Sequence, residues 1–193
     1  MPREKILITV KTYPTFSKSY DELVCTAGFK EDGSFIRIYP IPFRKLDYDR
    51  RYRKYEWVEL ELQKNTADFR PESYKPVDID KITNLEFLDT DKGSWERRKE
   101  LCLNNVHYDM TALIHRAKDK DICTSLAVFK PARVLDFIIQ EDEREWKKEE
   151  EIRISREQLD LFHDVSSFEI VKKLPYRFSY RFTDIQGRES TMT

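Results

Sequence analysis

Alternation is clearest in Tyr55–Gln63, YEWVELELQ, where Val58, Leu60 and Leu62 share one parity and Trp57, Glu59 and Glu61 the other. A period of two over such a run predicts a strand with one face in a core and one toward solvent. Lys5–Val10 (KILITV) is a short β-branched apolar run and predicts a buried first strand. Glu22–Lys30 and Ser34–Pro40 are strand-like and flank Glu31-Asp32-Gly33. An Asp-Gly turn between two such runs predicts a hairpin. Pro40 and Pro42 are expected to break regular pairing, because proline has no N–H to give a ladder.

Helical spacing takes over in the middle of the chain. Met110, Leu113, Ile114 and Ala117 follow Asp109 and predict a capped helix over Met110–Lys118. Ser94 is expected to cap another over Trp95–Leu103. Strand character returns at Ser125–Phe129 and Arg133–Ile139, around Lys130-Pro131. Glu141–Glu151 is a mixed charge run, expected as solvated helix or loop. Ser155-Arg-Glu-Gln158 fits a capping box for a short helix through Phe162. Phe168–Leu174 and Pro175–Phe182 close the series as strands, the latter alternating Tyr176, Phe178, Tyr180 and Phe182 against Arg177, Ser179 and Arg181. Arg177 and Arg181 read as the solvated side of an edge strand.

Strands at both ends with helices between them predict one α+β domain over residues 1–193: β-rich over 1–75, a helical insertion at about 94–120, and strands over 125–182. The sheet is expected to be antiparallel and barrel-like, PUA-like or OB-like, with two to four helices.

Composition adds bounds. A chain of 193 residues can bury a real core, and 13% aromatic content argues against disorder. No window approaches the roughly 18 apolar residues of a membrane span, and Ile6–Val10 is too short for the apolar part of a signal peptide. Cys25, Cys102 and Cys123 are far apart and form no CxxC pair, which points to reduced thiols in a cytoplasmic protein. No metal and no cofactor is expected: His107, His115 and His163 form no HExxH, and there is no GxSxG, phosphate loop or GxGxxG. Glu145-Trp-Lys147 has the ExK spacing of some nucleases but lies in the charge run, away from any rigid apolar strand.

The formal net charge is −1, but it is unevenly placed. Residues 1–75 carry 15 basic and 12 acidic side chains, and the excess concentrates in Ser34–Tyr55, where seven Lys/Arg face two Asp. Phe35, Tyr39, Phe43, Tyr48, Tyr52 and Tyr55 are interleaved with those cations. Cations meet phosphates and rings stack on bases, so the segment points to a nucleic-acid surface. Lys11, Arg37, Arg44, Arg51, Arg53 and Lys54 are the expected phosphate contacts, with Tyr39 and Tyr55 as stacking rings. If Ile36 and Ile38 face the core, Arg37 and Tyr39 stand together toward solvent; the competing reading pairs Arg37 across the sheet with Glu59 or Glu61.

Lys11-Thr-Tyr-Pro14, Arg37-Ile-Tyr-Pro-Ile-Pro-Phe-Arg44, Asp68-Phe-Arg-Pro-Glu-Ser-Tyr74 and Ser125-Leu-Ala-Val-Phe-Lys-Pro131 resemble strings of an uncharacterised bacterial protein family. The resemblance runs to Phe178-Ser-Tyr-Arg-Phe182 and implies that longer relatives continue past the position of Thr193. It implies no catalytic role.

Two other functions compete with the nucleic-acid module. Asp68, Arg70 and Glu72 share one parity and would point together from an extended segment, as a nucleotide-processing site or a metal-dependent nuclease needs. An internal Asp–Arg–Glu network bracing a loop explains the same spacing. A protein-interaction subunit would use the aromatics of Phe35–Tyr55 as a partner contact. The expected partner is DNA or RNA, with a protein second and no membrane.

Overall fold

The computed structural model describes residues 3–12, 15–16, 22–41, 43, 46–145 and 173–193. In chain order its strands are β1 (Arg3–Lys11), β2 (Thr15–Phe16), β3 (Glu22–Lys30), β4 (Phe35–Ile41), β5 (Glu56–Lys64), β6 (Ser73–Pro76), β7 (Thr83–Phe87), β8 (Val106–His107), β9 (Val128–Phe129), β10 (Arg133–Glu141), β11 (Tyr176–Thr183) and β12 (Glu189–Met192). Helix α1 (Glu96–Cys102) precedes β8, and α2 (Met110–Lys118) follows it. The fold is α+β.

Five strands close on themselves. β1 pairs with β3, β3 with β4, β4 with β6, β6 with β5, and β5 returns to β1. All these pairs are antiparallel except β4–β6. The result is an OB-like barrel, with β7 paired to the first half of β5 where β6 does not reach. Closure removes the open sheet edge that would otherwise pair with another chain. Ile6 and Ile8, Ile36 and Ile38, and Val58, Leu60 and Leu62 fill the interior, for the β4 and β5 residues the face that alternation marked as apolar.

Two local devices allow closure. Gly28 on β3 lies so close to β1 that a Cβ there would stand 1.9 Å from the Leu7 carbonyl oxygen. A side chain is sterically impossible at that crossing. Pro40 breaks regular pairing, as expected from its missing donor, although the strand runs on through Ile41. The register against β3 shifts between Val24 and Thr26, so an irregularity in the ladder absorbs the proline.

The cation-rich connection from β4 to β5 also feeds the core. Leu46 and Tyr52 are buried in the barrel cluster, and Phe43 meets the Tyr52 ring edge-on at 5.0 Å. The Tyr52 hydroxyl shares a 2.6 Å hydrogen bond with Thr26 Oγ1, and burial pushes its proton affinity far above the usual phenol range.

Outside the barrel, Leu7, Trp57 and Leu88 form a second buried cluster, backed by Leu101 and Cys102 around α1. Ser94 does not cap α1. Trp95 takes the boundary in a left-handed conformation, and Asp91 from the preceding 3-10 turn accepts from Arg97 N at 3.2 Å. Asp109 caps α2 as expected, accepting from Ala112 N at 2.9 Å. Only Val128–Phe129 of the expected Ser125–Phe129 strand pairs, in parallel with Val106–His107. β11 is the centre, not the edge, of a three-stranded sheet with β10 and β12. Phe137, Ile139, Phe178, Tyr180 and Met192 stay exposed there, while Ser179 on the opposite parity is 3% exposed. The capping box at Ser155, nearly all of Phe168–Leu174, and Trp146-Lys147 of the ExK string lie outside the described residues.

Candidate functional site

An OB-like barrel offers ligands the outer face of its second and third strands, here β3 and β4, and the loops after its first and fourth strands. The chemistry-bearing residues group around those elements in three places.

The first is the end of β1, where the chain leaves for the β1–β3 loop. Lys11 Nζ sits 3.9 Å from the centre of the Phe43 ring and donates to the Tyr52 carbonyl at 3.3 Å. Burial lowers its proton affinity, and the nearby charges of Lys54 and Arg51 lower it further, with Glu56 opposing them. Two cations bearing on the half-buried Lys11 make a site that an anion relieves. Arg51 is held in place by its Nε donating to the Leu46 carbonyl at 3.0 Å. Both Arg51 and Lys54 are exposed.

Arg53 and Tyr55 are tied to the other side of the connection. The Arg53 guanidinium lies 4.1 Å from the Phe87 ring centre and 3.4 Å from the buried carboxylate of Glu56. Tyr55 is half-buried, with Arg98 over its ring at 3.9 Å and Trp95 edge-on at 6.3 Å. Arg44 lies outside the described residues.

The second place is the outer face of β4. Arg37 does stand opposite the Ile36/Ile38 face, but it is half-buried and turned to partners other than Glu59 or Glu61. Its Nη1 donates to Cys25 Sγ at 3.2 Å, and its Nη2 to Ser125 Oγ at 3.2 Å and the Ser125 carbonyl at 3.4 Å. Glu59 instead pairs with Arg3 at 3.0 Å. Tyr39 is half-buried beside the β5–β6 loop, whose Asn65 donates to the Tyr39 carbonyl at 3.4 Å.

The β5–β6 loop is the third. Asp68 and Arg70 form a two-pronged ion pair, Nε to Oδ1 at 2.8 Å and Nη2 to Oδ2 at 2.7 Å. That pair holds the Asp68 carboxyl well below the usual carboxylate range. The Glu72 charge also bears on Arg70, but its Oε1 accepts from the Ser125 hydroxyl. The backbone of Glu72 is fixed to the barrel by Arg37 N donating to its carbonyl at 2.8 Å. Among the described residues, no group of three or more His, Cys, Asp or Glu is arranged to hold a metal.

Ser125 therefore joins Arg37 to Glu72, and a cleft of about 200 Å³ opens beside it. Phe35 and Glu72 form its barrel side; His107, Arg116, Ser125 and Leu126 line the other. Sequence reading missed this cleft because its walls come from five separate stretches of chain. It also passed over Phe69, which is 87% exposed at the tip of the β5–β6 loop, and left Tyr48, 88% exposed, out of the site. A large ring flanked by Asp68 and Arg70, which bind each other, was the available signal for Phe69.

The family comparison divides the chain at the same cleft. Residues 2–104, more than half of the chain, match the model described as domain of unknown function (DUF8758). The chain belongs to the DUF8758 family. Residues 106–192 match a second model, domain of unknown function (DUF8757). The DUF8758 match contains the whole barrel, so the barrel wall of the cleft falls in one match and His107, Arg116, Ser125 and Leu126 in the other. No curated protein and no solved structure matches the chain.

Proposed function

We propose that the chain is a nucleic-acid-binding module that receives single-stranded DNA or RNA on its OB-like barrel. The observation that carries this reading is the Lys11–Arg51–Lys54 cluster at the root of the β1–β3 loop, where Lys54 and Arg51 bear on a Lys11 seated over the Phe43 ring. A phosphate arriving there removes repulsion and releases counterions, which makes binding salt-dependent. Phe69 and Tyr48 supply open rings for stacking, a contribution of roughly 1–3 kcal/mol per base. Tyr39 and Arg37 belong to the same barrel face but serve mainly to position the β5–β6 loop and Ser125.

The test is a salt titration of single-strand affinity for the natural chain and an Arg51→Ala/Lys54→Ala variant. Each lost phosphate contact lowers the slope of log K against log salt by about 0.7, so the double variant is expected to lose about 1.4. A slope that does not change removes this cluster from the interface.

Contact with another polypeptide is the second reading. The exposed apolar face of Phe137, Ile139, Phe178, Tyr180 and Met192 favours it, since contiguous patches of this kind mark interaction surfaces. Association through that face would persist at high salt. Three free cysteines favour a reducing compartment, in keeping with the proposed bacterial, cytoplasmic setting. Among the described residues, no helix is long and apolar enough to cross a membrane.

A further inference from the structure

The cleft beside Ser125 has walls of different kinds. Phe35 and Leu126 are apolar, Glu72 is an acceptor, and Arg116 and His107 bring N–H groups. Its volume of about 200 Å³ falls below the roughly 300–1,000 Å³ of pockets for drug-sized ligands. That is room for about seven waters at ~30 Å³ each, or for one planar ring system with any sugar and phosphate left outside.

Charge narrows the choice of ring. An ionised carboxylate only accepts hydrogen bonds and a guanidinium only donates them. The Ser125 hydroxyl, itself held by Arg37, fixes the Glu72 carboxylate in one orientation and leaves Oε2 to accept from a ligand. A fitting ring must therefore show donors toward Glu72 and acceptors toward Arg116. Guanine does so: N1–H and the N2 amino group lie side by side, and O6 and N7 form the acceptor pair that arginine favours. Adenine and cytosine place an acceptor nitrogen beside the amino group, which would meet the carboxylate lone pairs. Uracil and thymine offer one imino donor between two carbonyls.

We infer that this cleft takes one unstacked guanine base, with Glu72 accepting from its donor edge, Arg116 donating to O6 and N7, and Phe35 lying along the ring. The inference rests on the single-strand reading above and gives that reading a base preference. A single strand suits it, because an unpaired base enters a pocket at little unstacking cost.

The experiment measures binding of labelled short thymidine strands carrying one central G, A, C or T, at two salt concentrations. Proteins are the natural chain, Glu72→Gln and, as an independent variant on the opposite wall, Arg116→Ala. The G strand is expected to bind about tenfold tighter than the others. Either substitution should erase that preference while leaving all-thymidine binding and its salt slope unchanged. Equal binding of all four strands with an ordinary salt slope overturns the guanine cleft and leaves the nucleic-acid reading intact. A preference that survives both substitutions overturns the assigned residues. If no strand binds, the nucleic-acid reading fails by itself, and titration with free guanosine decides the cleft: saturable binding lost in Glu72→Gln supports it, and none overturns it.

Discussion

The barrel and the β10–β12 sheet carry the same apolar–polar alternation and treat it in opposite ways. On β1, β4 and β5 the apolar parity is sealed up to the barrel's end at Val10: Ile8, Ile36 and Leu60 are wholly buried. On β11 the aromatic parity is open over Tyr176, Phe178 and Tyr180 and buried only at Phe182, with Tyr180 54% exposed opposite Phe137 on β10. Rings on that open face still meet one another, Phe137 and Phe178 nearly parallel at 6.0 Å between centres and Phe137 and Tyr180 at 5.0 Å. Alternation sets which residues share a face. Whether the face is dry depends on a covering layer, which a closed barrel provides for itself and a three-stranded sheet must obtain elsewhere.

The largest break in this comparison should come from Gly28→Ala. The added Cβ would overlap the Leu7 carbonyl, so β3 and β1 must separate and the barrel opens. A loss of about 4 kcal/mol or more, or failure to fold, is expected from chemical denaturation. A loss below about 1 kcal/mol would mean that the strands do not need this close approach.

Next comes a matched pair. Leu60→Ala, inside the barrel, is expected to cost about 2–5 kcal/mol. Tyr180→Ala, on the open face, should cost about 1 kcal/mol or less, because little area leaves contact. Similar losses for the two would show that the β10–β12 face is covered in solution and that the barrel and this sheet do not differ in burial.

Asp68→Asn probes the loop that fastens the barrel to the cleft. The native carboxyl is depressed by hydrogen bonds from Arg70, so its contribution is fully present above the unfolded value near pH 4 and is lost as pH falls through the lower folded value. A gap of about 1–3 kcal/mol between the natural chain and the variant is expected at neutral pH. It should shrink on acidification from about pH 4 to about pH 2. Urea unfolding across that range measures it; a gap independent of pH would show that the Asp68 charge contributes nothing.

Much of the barrel was legible in the sequence, because its signals are local. Asp32-Gly33 set the β3–β4 hairpin, alternation in Tyr55–Gln63 set β5, and Asp109 set the start of α2. Tyr52 was misread for a physical reason. Its neighbours Arg51, Arg53 and Lys54 are all exposed, and nothing nearby indicates that the ring between them plugs a barrel and bonds Thr26. The site was less legible still. Glu59 and Glu61 were the acids offered to Arg37, but β6 lies between β4 and their strand, and the partner is Ser125, 88 residues away. Long-range docking chose that contact, and periodicity carries no record of it. The short β6 and β7 segments escaped notice because four or five residues with polar neighbours give alternation too little length to register.

The bridge from Arg37 through Ser125 to Glu72 has an implication for anyone trimming the chain. Cutting after the first family match would unmask a guanidinium and a carboxylate together on the barrel's outer wall. The shortened protein would not be a neutral miniature of the parent. It would present a new dipolar patch, and any stickiness measured on such a fragment would belong to the cut.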